Sequence, residues 1–241
     1  MRDVSGIWSD DLSCVVAASD VAHSGFNTTA TTLAACIFYL GRYRSAYELA
    51  ANEVRSHFCN ASEIRLGSSL ASCNYLRACI QETLRLSPPV GSPLPRETPV
   101  GGVVIDGIFV PGGMLVGSSI YSIQHKEEHF SDPHTFRPER WLPDRGGAKD
   151  LINHDTRAYG PFQIGPRGCV GKSIALRELT LSMAQILFRL DFQTVDQTGD
   201  IITIRGPINS PMLGVSQIPI QEFITARSEG PYVRYRRRHI D

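Results

Sequence analysis

The sequence lacks most of the signals that would assign a chain to nucleic acid, to a bilayer or to a disulfide scaffold. Neither sign of charge dominates: 24 Lys and Arg balance 24 Asp and Glu, a formal net charge of zero. No overall field therefore draws the chain to nucleic acid or to an anionic membrane. No apolar run reaches the ~20 residues a spanning helix needs; the longest lies around Leu33 to Leu40, and no secretory signal is visible. Cysteines are few: Cys14, Cys36, Cys59, Cys73, Cys79 and Cys169 form no Cys-x-x-Cys pair and no Cys/His zinc spacing. They read as mostly reduced thiols in an intracellular setting. Gly101-Gly102 lacks the Gly-x-Gly-x-x-Gly spacing of a dinucleotide loop. Two sequons, Asn27-Thr-Thr and Asn60-Ala-Ser, fall in segments read as helical and are taken as chance matches. What is present is 241 residues with 42% apolar composition, enough for one domain with a sizeable core.

The most informative stretch is Pro161-Phe-Gln-Ile-Gly-Pro-Arg-Gly-Cys-Val-Gly-Lys172. Gly165, Pro166 and Gly168 predict a tight loop that can approach something flat or bulky. Ser173 to Leu190 follows with a helical apolar rhythm through Ile174, Leu179, Ile186 and Leu190. Cys169 thus falls at a helix N-terminus, where the dipole and unpaired N–H groups favour a negatively charged sulfur. Three readings compete: a structural cysteine in a glycine-rich turn, a phosphate-binding loop, and a metal-ligating thiolate. The phosphate reading fails on register, because the glycine required with four residues between it and Gly171-Lys172-Ser173 is replaced by Pro166.

Upstream, about Asp10 to Leu40 reads as one long helix broken in chemistry at Ser24-Gly-Phe-Asn-Thr-Thr29. Gly25 lowers helix propensity by ~1 kcal/mol relative to Ala, and Thr28 and Thr29 can bond back to the preceding turn. Ser45 to about His57 is a second, amphipathic helix with Arg55 on its polar side, and a polar connection covers Asn60 to Ser69. A third helix runs from about Leu70 to Leu86, stopped by Ser87-Pro-Pro89. Val103 to Val110 around Asp106-Gly107 is a hairpin signal, and Met114 to Ser118 another strand. Ile201 to Ile204 and Leu213 to Ser216 read as short strands, and Arg234 to His239 as a basic, solvated end.

Phe162, Gly165, Arg167, Cys169 and Gly171 match, at every spacing, the Phe-x-x-Gly-x-Arg-x-Cys-x-Gly haem-binding signature, and here the chain resembles the cytochromes P450. Other elements are similar to the family's in the same order. Gly25 and Thr28 resemble its oxygen-activation segment, with Ser24 in place of a small apolar residue and Asn27 in place of the acid. Glu82 and Arg85 resemble its Glu-x-x-Arg pair, and Arg140, in Phe136-Arg-Pro-Glu-Arg-Trp141, the arginine that completes a buried triad. The resemblance covers nearly the whole chain but about the C-terminal half of the family's domain, as in a truncated product lacking the N-terminal membrane anchor.

The resemblance implies a mostly α fold with minor β, residues 1–241 being the haem-bearing half of a single domain. It implies haem b (iron protoporphyrin IX) bound through Cys169, with Phe162 shielding the sulfur and Arg96 and Arg167 pairing with the propionates. His125 falls near the propionate side in relatives. Gly25 would leave room for O₂, Thr28 would relay protons, and Asn27 would orient water without supplying a proton. It implies a monooxygenase acting on a small apolar organic substrate in secondary metabolism, xenobiotic or fatty-acid chemistry. Electrons would come from NADPH through NADPH–cytochrome P450 reductase, on the cytosolic face of the endoplasmic reticulum membrane, with no nucleic-acid partner. A P450-fold isomerase or dehydratase, or a non-catalytic remnant, are the alternatives.

Overall fold

A computed structural model describes residues 12–143, 158–196, 199–201, 221–222, 226–227 and 231–238. The architecture is mostly α with minor β. Helix α1 (Leu12–Arg42) leads into α2 (Arg44–His57), the short α3 (Ser68–Ala71) and α4 (Asn74–Leu86). Strands β1 (Arg96–Glu97), β2 (Val103–Ile105), β3 (Ile108–Val110) and β4 (Leu115–Val116) follow, then the short α5 (Ile120–Gln124). After the cysteine loop come α6 (Lys172–Arg189), β5 (Leu190–Thr194), β6 (Gln221–Glu222), β7 (Ala226–Arg227) and β8 (Val233–Arg237). Among the described residues the strands form four antiparallel pairs: β1–β4, β2–β3, β5–β8 and β6–β7.

Helices α1, α2, α4 and α6 pack on one another because each buries an apolar stripe at helical spacing. On α6 the stripe is Leu179, Met183, Ala184, Leu187 and Phe188; on α4 it includes Leu76, Ile80 and Leu84. Tyr39 joins this core to the later chain by stacking on Phe136, centroids 4.9 Å apart and planes within 5°. Gly41, near the end of α1, lies where β5 crosses: a Cβ there would meet Thr194 Cγ2 at 2.8 Å and Thr194 N at 2.9 Å. Any side chain at that position would wedge α1 away from β5.

Three expectations change. The helix read over Leu70 to Leu86 is two, because Ser72 and Cys73 bend their side chains back to the Ser69 carbonyl. The new helix then takes its N-terminal partner from a distance, since Glu53 on α2 accepts the Tyr75 and Leu76 N–H groups at 2.9 Å each. Asn60, read both within a helical segment and as the start of the polar connection, is the latter: an exposed cap, bonded through its amide to Glu63, ahead of a single 3₁₀ turn. The basic C-terminal run is not a loose end. Val233–Arg237 pairs in register with Leu190–Thr194, Arg236 bridges to Asp191 at 3.2 Å, and Arg238 donates to the Phe188 carbonyl at 2.7 Å. The hairpin forms as expected on the Asp106-Gly107 turn, both residues at positive φ. The strands expected over 202–204 and 213–216 lie outside the described residues; Ile201 itself bridges to Val195.

Arg55, read as solvated, is instead the tie between α2 and the end of α6. It donates to the Leu187 and Leu190 carbonyls at 3.0 and 3.1 Å and to Asp191 at 2.8 Å. Replacing Arg55 by Ala is expected to lower unfolding stability by about 2–3 kcal/mol, the cost of losing charge-assisted bonds to a helix end. Arg55→Lys should recover less than half of that loss, because an ammonium lacks the planar fork. Urea denaturation measures both, and a wild-type midpoint for Arg55→Ala would refute this tie.

Candidate active site

The cysteine loop is fixed by backbone geometry before any side chain acts. Gln163 and Gly165 both adopt positive φ (62° and 77°). A 3₁₀ turn spans Gly165–Arg167, Gly168 N–H closes onto the Gly165 carbonyl at 2.9 Å, and Cys169 N–H donates to the Phe162 carbonyl at 2.8 Å. Helix α6 begins at Lys172 with Gly171 as its cap, and a Cβ at 171 would stand 3.8 Å from Cys169 Sγ. Phe162 packs against the core, and the Lys172 ammonium lies over its ring at 5.8 Å.

Cys169 is exposed, and so are its apolar neighbours Ile164 (67%), Val170 (96%) and Ile174 (66%). Exposed apolar side chains around a thiol on a fixed loop suit a flat apolar group carrying a metal that takes sulfur. Cys59 is exposed as well, but three other cysteines contrast with Cys169. Burial pushes the Cys36 thiol up to about 12, lifts Cys73 to about 11, and raises Cys79 well above its ordinary value. Buried neutral thiols are poor metal ligands, and among the described residues no group of three His, Cys, Asp or Glu could hold an ion.

Two cations expected near the group stand open. Arg167 is exposed, with no side-chain bond among the described residues. Arg96 lies exposed on β1 and, among the described residues, donates to the Leu94 and Pro95 carbonyls alone. No bond links either arginine to the other or to Cys169. His125 stacks on Tyr121 at 3.9 Å, lies 5.2 Å from the His134 ring, and contacts the Tyr121 carbonyl through Nδ1. Burial pushes its pKa down to about 4, so it is neutral.

Gly25, Asn27 and Thr28 lie on α1, which packs against α6 and α4. Gly25 is open, with nothing within 4 Å of a built Cβ. Asn27 and Thr28 are half-buried. The Thr28 carbonyl accepts the Thr32 hydroxyl at 2.8 Å, a local back-bond within the helix.

The structure brings Glu82, Arg85 and Arg140 together with no solvent exposure. Arg85 donates Nε to Oε2 at 3.0 Å and Nη2 to Oε1 at 2.9 Å, and Arg140 Nε donates to Oε1 at 3.0 Å. Sequence reasoning missed two further donors to the same carboxylate, the Trp141 indole at 2.9 Å and the Arg137 backbone N–H at 3.1 Å. Trp141 was visible in Pro-Glu-Arg-Trp; the Arg137 N–H leaves no trace in side-chain identity. Burial alone would raise the Glu82 pKa, but the two guanidinium groups outweigh it and hold the carboxyl down at about 2.

An exposed cysteine on a hydrogen-bonded loop, together with a buried Glu–Arg–Arg cluster on a helical scaffold, is the arrangement that the resemblance to the haem-thiolate class implies. Comparison with known proteins agrees. The cytochrome P450 family model matches residues 10–220. Cytochrome P450 monooxygenase apf8 of Gibberella fujikuroi is 39% identical over 88% of this chain and 57% of its own length. The monooxygenase atnE of Emericella nidulans is 40% identical over 90% and 40%, and poxM of Penicillium oxalicum 40% over 89% and 38%. The chain belongs to the cytochrome P450 family, and it spans about half the length of the curated relatives it matches.

Removing the Glu82 carboxylate strands two buried guanidinium groups, so Glu82→Ala is expected to cost about 3–5 kcal/mol and to prevent stable folding. In the wild type, the contribution from Glu82 is present above its unfolded pKa of about 4.5 and lost as pH falls toward about 2. Denaturation midpoints between pH 6 and pH 2 test this; a soluble Glu82→Ala protein with wild-type stability would show that the cluster carries no such load.

Proposed function

We propose that residues 1–241 are the C-terminal, haem-binding half of a single P450 domain. The protein they belong to is, on this reading, a monooxygenase that inserts one oxygen atom from O₂ into a small apolar organic substrate. The supporting observation is the exposed Cys169 thiol, held at the start of α6 by its own N–H bond to Phe162 among uncovered apolar side chains. When bound through this sulfur, haem b supplies the redox centre for O₂, and thiolate ligation in this family favours O–O cleavage.

The chain's own residues then divide the work. Cys169 holds the iron, and Gly165 and Gly171 keep the sulfur's surroundings free of bulk. Phe162 screens the loop from water, and Arg96 and Arg167 receive the propionates, for which a planar guanidinium fork is suited. Gly25 leaves space on α1, and the Thr28 hydroxyl holds a proton at Oγ1 for delivery. Asn27 orients water through its amide but cannot release a proton and take up another, as a carboxyl would. Glu82, Arg85 and Arg140 fix α4 against the segment that leads into the cysteine loop.

Electrons come on this reading from NADPH through NADPH–cytochrome P450 reductase, with the protein on the cytosolic face of the endoplasmic reticulum membrane. Among the described residues no helix is long and apolar enough to cross a membrane. The relatives' names, each a cytochrome P450 monooxygenase of a fungus, support an oxygenase of secondary metabolism. Asn27 favours one second reading, a P450-fold isomerase or dehydratase that rearranges an oxygenated substrate without O₂.

The reduced carbon monoxide complex of the expressed chain should show the red-shifted Soret band that gives the family its name, and Cys169→Ala should abolish it. A mutant that kept the band would refute the ligand, and a wild type without haem would mark a non-catalytic remnant. Turnover by the full protein should require NADPH, reductase and O₂ together; turnover without them would establish the isomerase reading.

A further inference from the structure

Gln124, the last residue of α5, has no solvent exposure. Its amide is fully engaged. Nε2 donates to the Leu84 and Arg85 carbonyls at 3.2 and 2.9 Å, and Oε1 accepts the Gly160 N–H at 3.2 Å. Two acceptors on one side and a donor on the other allow only this orientation of the amide. The engagement is reciprocal, because Arg85 Nη1 donates to the backbone carbonyl of Gln124 at 3.0 Å. Gln124 therefore grips the residue that grips Glu82.

Gly160 is the root of the cysteine loop. Two residues on, the Phe162 carbonyl receives the Cys169 N–H at 2.8 Å. A continuous run of hydrogen bonds thus leads from the Glu82 carboxylate through Arg85 and Gln124 to Gly160, and the chain carries it through Phe162 to Cys169. A second contact runs alongside: Tyr159 donates to the Gln81 carbonyl at 3.3 Å and packs on Trp141 at 4.6 Å. Among the described residues, Gln124 is the side chain that ties α4 to the loop through three backbone groups, the Leu84 and Arg85 carbonyls and the Gly160 N–H.

We propose that Gln124 is a positioning residue, through which the buried ion-pair cluster sets the placement of the Cys169 loop. The proposal rests on the haem-thiolate reading for its functional meaning, but its physical content is a coupling measurable without haem. Gln124→Met keeps length and volume and removes every polar contact, and Gln124→Leu does so with a stiffer, shorter chain.

Amide hydrogen exchange on the haem-free 241-residue chain tests the coupling. In the wild type the Gly160 and Cys169 amides should be protected, and in Gln124→Met their protection should fall about tenfold, as for loss of a buried hydrogen bond. Protection in α2, over residues 46–54, should stay unchanged. In the haem-loaded protein, the same variant should move part of the reduced carbon monoxide band to the position of a neutral-thiol ligand. Loop and α2 amides losing protection equally would reduce Gln124 to a general core residue and overturn the proposal, as would an unchanged loop. If neither variant yields soluble protein, the wild type decides: a rapidly exchanging Gly160 amide overturns the coupling, and one that opens together with residues 84–87 under mild denaturant supports it. A wild type that binds no haem would overturn the oxygenase reading and leave the exchange result standing.

Discussion

A carboxylate with no access to water is the constraint on which the rest of this structure depends. Glu82 is stable only because five donors converge on it: two from Arg85, one from Arg140, one from the Trp141 indole and one from the Arg137 backbone. A buried ion pair contributes little net stability against an apolar replacement, but losing either partner is severely destabilising. It therefore acts as a condition on geometry. The segment around Pro138–Trp141 must lie against α4, and Arg85 must turn its remaining donors to the Gln124 and Pro133 carbonyls. From that fixed point the placement of the cysteine loop follows.

The site needs two opposed properties, a sulfur open to a ligand and a loop that does not move. The loop obtains the second from backbone conformation and from hydrogen bonds that reach back to buried groups, and so spends no side chain on covering the sulfur. Cys36, Cys73 and Cys79 are buried, and burial raises the pKa of each of these thiols. Exposure separates Cys169 from these three but not from Cys59; what sets Cys169 apart from Cys59 is its hydrogen-bonded loop and its uncovered apolar neighbours.

Much of this was legible in the residues themselves, for identifiable reasons. The cysteine loop and its helix could be read because positive φ and a following apolar period leave marks at fixed spacings. The long α1 could be read because no proline interrupts it. What escaped was decided by partners distant in sequence. The N-terminus of α4 is capped by Glu53, 22 residues before Tyr75. The C-terminal strand was misread because backbone pairing is indifferent to the arginines it carries, and charged side chains are common on an edge strand. Gln124 carried no signal, since an isolated glutamine looks the same in water as between two carbonyls. Arg55 was placed on a polar face that the later chain covers.

The separation between Glu82 and its partners has a consequence for how the chain is made. Arg140 stands 58 residues after Glu82, and at ~5–20 residues per second a ribosome takes roughly 3–12 s to produce that interval. Throughout it α4 carries a charge that cannot be buried without its second cation. Docking of α4 into its final place must therefore wait until the emerging polypeptide has delivered Arg140, and the apolar stripe of α4 stays open to chaperones until then.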